Sequence, residues 1–526
     1  MCGREVNLSC SEGSGYRCTS HAWLLSGALA LAVSFPSFSL YPLAWIATIP
    51  LLLRLVESQS PGPVFSGHFL FFLSFFGLVL YWVPAVMINY GGLHPAVALG
   101  VFALLLGAMS LLMLPFSILT WGLARAFNDN CALFAAPALW TSCELLRERF
   151  LLGGFPWASV GYSQHGFGVL LQVADLGGVY LLSFLVLSGA SATLLWIARG
   201  KRSLALVYMV LILLSVLYGA YRLWFWKIET EHWHRATLVQ PGIALRGSRA
   251  YFQETYFQQL GRTYSRACEE GTEWVIFPET PNPFSPDLDA HFRTFWSTLV
   301  AEKQRPLVLS ATGQGTHAGL YYNSAFLFDR SGSIIHRYDK RHLVPFGEYL
   351  PAGATLLGLS EALVGEVGQF SPGRSSQRTA HLDDEQLGFL ICYESIFPEL
   401  SRQAVLSGAR FLVNTTNDMW FGDTAAPWQH LQMAALRAVE VRKPLLRAAN
   451  SGITAWVDSW GRIRGQLGLL EVGRLEVEFK PNSYRSLYTQ LGLVPLALII
   501  MMVISAAVAG GMLARRKETS RGKLSS

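Results

Sequence analysis

Seven apolar stretches, at about 22–37, 40–56, 65–87, 94–122, 131–147, 170–197 and 203–225, and an eighth at about 490–513, constrain this chain more than any other feature. A bilayer core is crossed by about 20 apolar residues in a helix. In lipid, a backbone that cannot bond to water must satisfy itself, which restricts such stretches to helices packed together. Composition agrees: 52% of the 526 residues are hydrophobic and 14% charged, where soluble domains carry roughly 25% charge. The surplus is uneven, because residues 226–487 read as ordinary soluble protein. The expected fold is therefore a multi-span α-helical membrane domain of about eight helices with an α/β domain inserted between the seventh and eighth. Its parts are a leader at 1–20, a seven-helix membrane domain at 21–225, the soluble domain at 226–487, a last helix at 488–513 and a basic tail at 514–526.

Orientation follows from lysine and arginine, which favour the cytoplasmic ends of spans. The first two stretches are joined only by Phe35-Pro36-Ser37-Phe38 and form a hairpin. An inside N-terminus places Arg54, Arg125, Arg199, Lys201, Arg202 and the tail cations Arg515, Arg516, Lys517, Arg521 and Lys523 in the cytoplasm. Arg147 and Arg149 are the exceptions, and the large insert faces outward. The net charge of +6 is thus topological information and does not point to nucleic acid. Residues 1–20, polar and Gly/Ser-rich, read as a disordered cytoplasmic leader or as a start assigned too early; Cys2 follows no signal-peptide core. The loop 153–165, GGFPWASVGYSQH, falls on the outer face, either as an interfacial aromatic belt or as lining for a lipid entry route.

The insert alternates strand-like runs (236–240, 274–278, 306–311, 324–328, 333–338, 387–393, 410–414, 444–447, 453–458, 474–479) with helical patterns at about 251–269, 288–303, 395–407 and 428–442, which fits a layered α/β sandwich. Seven cysteines show no CxxC spacing, and no His/Cys cluster has metal-ligand spacing, so no metal, cofactor or disulfide framework is expected. Cys268 and Cys392 are the two cysteines of the insert.

Cys392 ends the apolar run Leu387–Ile391, just before a helix-compatible segment, so its sulfur would stand at a strand-to-helix turn. A thiol near neutrality is mostly protonated, and a working nucleophile needs a proton acceptor and a nearby cation. Glu279 ends the run Trp274–Pro278, and Lys340 follows Ser333–Tyr338. All three groups occur where a strand stops, the place at which open α/β folds gather reactive side chains.

Pro278-Glu279, the segment YDKRHLVPFGEYLP at 338–351, Cys392-Tyr393-Glu394 and NDMWFGD at 417–423 resemble the nitrilase (carbon-nitrogen hydrolase) superfamily. With the flanking spans they are similar to the apolipoprotein N-acyltransferase family. The resemblance implies an αββα sandwich and a Glu279–Lys340–Cys392 triad. It implies a ping-pong reaction in which a fatty acyl chain passes from a phospholipid, through a Cys392 thioester, to the α-amine of a diacylglyceryl-cysteine on an apolipoprotein. By position it implies supporting or substrate-binding roles for Glu348, Tyr393, Glu394, Asn323 and Trp420. It further implies a multi-pass protein of the bacterial inner membrane with the catalytic domain outside and both termini inside, working as a monomer without a cofactor. The chain departs from the family in reading Phe277-Pro-Glu-Thr280 at the first motif, and in lacking the tryptophan expected on a lid over Gly242–Tyr251. Two rival readings are a membrane-anchored nitrilase-type amidase, with water as acceptor, and a catalytically silent lipid-binding scaffold.

Overall fold

The computed structural model describes residues 20–150, 153–228, 232–280, 282–315, 317, 319–349 and 370–524. The expected leader up to residue 19 and the end of the 338–351 motif, Leu350 and Pro351, lie outside the described residues. The N-terminal part is helical: α1 (His21–Ala32), α2 (Ile49–Glu57), α3 (Pro61–Val79), α4 (Val83–Asn89), α5 (Pro95–Ala126), α6 (Asp129–Phe150), α7 (Ala174–Thr193) and α8 (Arg202–Trp224). All eight apolar stretches contain helix, and among the described residues five helices are by themselves long and apolar enough to cross a membrane: α3, α5, α7 with its extension to Ala198, α8 and the C-terminal segment Val494–Lys517.

The other three fall short for physical reasons. Helix α1 has 12 residues. The second stretch breaks at Pro42 into a turn, a four-residue helix at Ala44–Ala47 and the nine residues of α2. Helix α6 is long enough at 22 residues but carries Asp129, Glu144, Arg147, Glu148 and Arg149. Its charge is tolerated because α6 is sheathed by protein: Trp140 Nε1 and the Val160 N–H donate to Glu144 Oε1 at 2.9 and 2.8 Å. Arg147, expected as a loop cation, is instead buried, with Nη2 donating to Ser159 Oγ at 3.0 Å. Arg125 and Arg199 meet at one end of the bundle, 3.3 and 3.1 Å from the Asp129 carboxylate.

The second part holds two six-stranded sheets. Strands β1 (His234–Gln240), β2 (Trp274–Ile276), β3 (Leu307–Gln314), β4 (Tyr321–Phe328) and β5 (Ile334–Asp339) build the first; β6 (Ala380–Leu382), β7 (Glu385–Ile391), β8 (Phe411–Thr416), β9 (Leu445–Ala449), β10 (Ala455–Val457) and β11 (Ile463–Gln466) build the second; β12 (Gly473–Phe479) returns to pair with β1. Each sheet has three parallel strands, β1-β2-β3 and β7-β8-β9, extended by antiparallel strands. The sheets meet through Tyr338 stacked on Phe389 (5.9 Å) and Trp274 edge-on to Phe411 (5.6 Å). Every expected strand is present, and the two missed, β6 and β11, are short edge strands.

Helices α9 (Leu260–Glu269) and α10 (Ala290–Lys303) cover the first sheet with an aromatic core around Tyr256, Phe292 and Trp296. Helices α11 (Pro398–Leu406) and α12 (Ala426–Val441) cover the second. Helix α12 is buried almost all round, because its outer face lies on the membrane helices. There Glu440 accepts from the Val179 N–H at 2.9 Å, capping α7 where Gly178 (φ +67°) breaks the helix. Any side chain at 178 would crowd Tyr488. Arg442 donates to Asp175 and to Gln172 at 2.9 and 2.6 Å. A last helix, α13 (Val494–Leu524), closes the chain.

Candidate active site

Parallel strands end on one edge of each sheet, and the polar groups of the site stand there. Glu279 follows β2, Lys340 follows β5 and Cys392 follows β7, while antiparallel β4 brings Asn323 to the same edge, where its carbonyl accepts from the Lys340 N–H at 2.8 Å. Lys340 Nζ sits 3.4 Å from Glu279 Oε1 and 2.9 Å from Glu348 Oε1. The amide of Asn323 donates to both carboxylates, at 2.6 and 2.7 Å. Glu279 Oε2 accepts from the Asn417 N–H at 3.0 Å, and Glu348 Oε2 from the Val344 N–H at 2.8 Å. One cation and one amide thus lock two carboxylates in a cleft where Lys340 is 1% exposed. Burial disfavours the ammonium, but the charges of Glu279 and Glu348 outweigh it and raise the Lys340 pKa. Lys340 remains charged at any physiological pH.

Cys392 is a non-glycine residue at φ +50°, a left-handed conformation that side chains adopt at a cost of about 1–3 kcal/mol and that clusters at reactive sites. The turn Cys392–Ile396 is a separate 3₁₀ element, so the following helix starts at Pro398, not at Ser395. Burial, and then the Glu279 charge, push the thiol up to about 12, with Lys340 acting in the opposite direction. Sulfur, carboxylate and ammonium therefore share one electrostatic environment.

Glu394, fully buried, ties the Cys392 and Lys340 segments together. It accepts from the Ile391 N–H (2.8 Å) at the end of β7 and from the Arg341 N–H (2.7 Å) and Tyr338 hydroxyl (3.0 Å) at the end of β5. Burial raises its pKa, against the opposing pull of these N–H donors and of Arg341. Glu394→Gln turns an acceptor into a donor facing N–H groups, and each stranded buried donor costs about 1–3 kcal/mol. A lowered thermal unfolding midpoint of the detergent-solubilised variant is expected; an unchanged midpoint would remove Glu394 from this role.

Tyr393 points the other way: its hydroxyl donates to the Gly154 carbonyl at 3.2 Å, joining the Cys392 turn to the loop of the helical part. In that loop Trp157 and Tyr162 are buried, packed against α12 and its surroundings rather than forming an aromatic belt. Trp157 Nε1 donates to Gln429 Oε1 at 2.7 Å, and Tyr162 OH to the Ile396 carbonyl at 3.3 Å. Trp420 lies half-buried on the turn after β8, edge-on to Tyr90 at 5.6 Å, in the seam between the two parts. The segment 242–251 carries Tyr251, whose hydroxyl accepts from the Ala244 N–H at 3.1 Å.

Residues given no role in the sequence analysis underlie Cys392. Asp418 receives Arg447 Nη2 at 2.6 Å and the Thr416 hydroxyl at 3.0 Å, and lies 2.9 Å from His430 Nδ1. Burial favours the neutral acid, yet the Arg447 guanidinium and His430 hold the Asp418 carboxyl well below the usual carboxylate range. Gly452 makes room for it, since a Cβ there would stand 2.4 Å from Asp418 Oδ2. Asn417-Asp418 belongs to a quoted motif, and His430 to an expected helix. What the sequence lacked was any sign that they meet. Among the described residues no group of His, Cys, Asp and Glu has the arrangement to hold a metal.

Two family models match the chain: the apolipoprotein N-acyltransferase N-terminal domain over residues 26–192 and carbon-nitrogen hydrolase over residues 235–488. The chain is 38% identical over 514 residues to an apolipoprotein N-acyltransferase of Geobacter metallireducens, covering 94% of this chain and 95% of the relative. Its likeness to the apolipoprotein N-acyltransferase of Pseudomonas putida is 30% identity over 94% and 97%, and to that of Haemophilus influenzae 29% over 91% and 92%. Among solved structures, an amidase of the nitrilase superfamily from Nesterenkonia covers 50% of this chain and 95% of its own, with 23% identity and a TM-score of 0.39.

Proposed function

Because the chain belongs to the apolipoprotein N-acyltransferase family, we propose that Cys392 carries an acyl group from a phospholipid to the N-terminal amine of a diacylglyceryl-modified apolipoprotein, with Glu279 and Lys340 as its partners. The observation that carries this reading is the buried left-handed cysteine sharing its electrostatic field with a lysine clamped between two carboxylates.

The thiol holds its proton at pH 7, so proton removal and attack belong to one event. Glu279 takes the proton as sulfur bonds to the ester carbonyl carbon. Lys340 faces the oxyanion that forms, in a water-poor cleft where a fixed cation acts at full strength. The ester C–O bond breaks, the lysophospholipid oxygen takes the proton from Glu279, and a thioester remains. The lipoprotein amine then attacks that thioester, Glu279 accepts the ammonium proton, the C–S bond breaks and the sulfur is reprotonated. Glu348 and Asn323 hold Lys340 and Glu279 in register. No nucleotide is consumed, which suits an inner-membrane enzyme whose α/β domain faces outward with both termini inside, acting as a monomer.

The amidase reading uses the same residues but gives no role to five apolar helices or to a loop sewn to the nucleophile turn through Tyr393. Intact-mass analysis of the full chain in detergent, incubated with a defined phosphatidylethanolamine and no acceptor, tests the proposal. A single fatty-acyl mass increment is expected on the peptide containing Cys392, discharged by a diacylglyceryl-modified lipopeptide with amide formation. Discharge by water alone, with the lipopeptide amine left free, would favour the amidase; absence of any adduct would favour the silent scaffold.

A further inference from the structure

The carbonyl of Cys392, not only its sulfur, is held. The Ser395 hydroxyl donates to it at 2.9 Å, and His430 Nε2 stands 3.1 Å from it and 2.9 Å from Ser395 Oγ. On its other side the ring's Nδ1 lies 3.1 Å from Arg447 Nη2 and 2.9 Å from Asp418 Oδ1, and Arg447 also donates to Asp418 and reaches Asn414 on β8. Above the ring lies Trp157 of the helical part, centroids 5.9 Å apart and tilted 31°, with Phe421 edge-on at 6.1 Å. His430, Asp418 and Arg447 are all buried.

A left-handed cysteine relaxes unless its surroundings over-determine it. Sulfur position depends on the torsions of that one residue, and the carbonyl is the handle by which they are set. We infer that His430 is a positioning residue for the nucleophile: the buried chain Arg447–Asp418–His430–Ser395 grips the Cys392 carbonyl and keeps the sulfur aimed at the Glu279–Lys340 pair. Through Trp157 the helical part presses on the same ring. His430 meets the carbonyl of Cys392 and acts on the sulfur only through it. The inference rests on Cys392 being the nucleophile.

The test uses the full chain in detergent micelles and measures the single-turnover rate of Cys392 acylation, KM for phosphatidylethanolamine and the thermal midpoint. His430→Phe keeps a ring beneath Trp157 but removes both nitrogens. A misplacement of the reacting atom by about 1 Å costs on the order of 100-fold in rate, so acylation is expected to fall about that far with KM within about twofold. His430→Gln brings an amide to the Nε2 position, with an N–H for the carbonyl; loss of the contacts at Nδ1 alone then costs about tenfold or less. His430→Asn reaches only the Nδ1 position and should behave like the phenylalanine variant. Retention of wild-type acylation by His430→Phe, equal rates for the glutamine and asparagine variants, or losses that track only the thermal midpoint would overturn the inference. Where the phenylalanine variant does not fold, the ratio between the two amide variants decides. Failure of the parent reading is seen separately, as absence of an acyl adduct on wild-type Cys392.

Discussion

Cys392→Ser is expected to lose transfer by about 10⁴-fold or more, the scale on which removal of an enzyme's nucleophile is felt. The buried thiol already sits at about 12, raised by burial and by the Glu279 charge. A serine hydroxyl, several units harder to ionise, meets the same burial and the same carboxylate, so one general base cannot supply what the thiol needed and this further demand as well. The swap is nearly isosteric at a site 7% exposed, so the fold should survive. The measurement is lysophospholipid release and lipopeptide acylation by the purified variant, beside its thermal midpoint. Near wild-type release with an intact fold would remove Cys392 as the carrier of the acyl group. Slow accumulation of an acyl-serine ester that the amine cannot discharge would support it, because an ester is a poorer acyl donor to an amine than a thioester.

How much of this was legible beforehand depended on whether a property is local along the chain. The strand ends bearing Glu279, Lys340 and Cys392 follow from short apolar runs meeting polar residues, whereas β8 is buried throughout although only Phe411–Val413 are apolar and Asn414-Thr415-Thr416 are not. Apolarity alone does not set the number of spans, because it does not tell lipid from protein as a neighbour. Helix α6 is apolar enough to resemble a span yet carries Glu144 and Arg147 into the bundle interior. Glu348 and Asn323 were placed by resemblance alone, and their grip on Lys340 requires β4 and β5 to be antiparallel neighbours. The Arg447–Asp418–His430 chain was invisible for the same reason. Its members come from β9, the turn after β8 and α12, and each taken singly reads as an ordinary polar residue.

Lys340→Met has the other large effect, and the reason is the pair of carboxylates more than the lost cation. Loss of one oxyanion-stabilising donor costs about 10²–10³ in rate. Here the lysine also separates Glu279 from Glu348, both of which accept from the single Asn323 amide group. Without the ammonium, one buried and one partly buried carboxylate face each other, and like charges at such range disfavour both being ionised. A base that takes up a proton to relieve this repulsion no longer takes one from sulfur. A fall of about 10³–10⁵ in acylation rate is therefore expected, with phospholipid KM changed by less than about threefold. The two contributions separate in a second variant. Adding Glu348→Gln to Lys340→Met removes the repulsion but not the oxyanion defect, so the double variant should acylate about tenfold faster than the single. A double variant no faster than Lys340→Met would mean that the lysine acts on the oxyanion alone. Equal losses in rate and in lipid binding would instead reassign it to a headgroup contact.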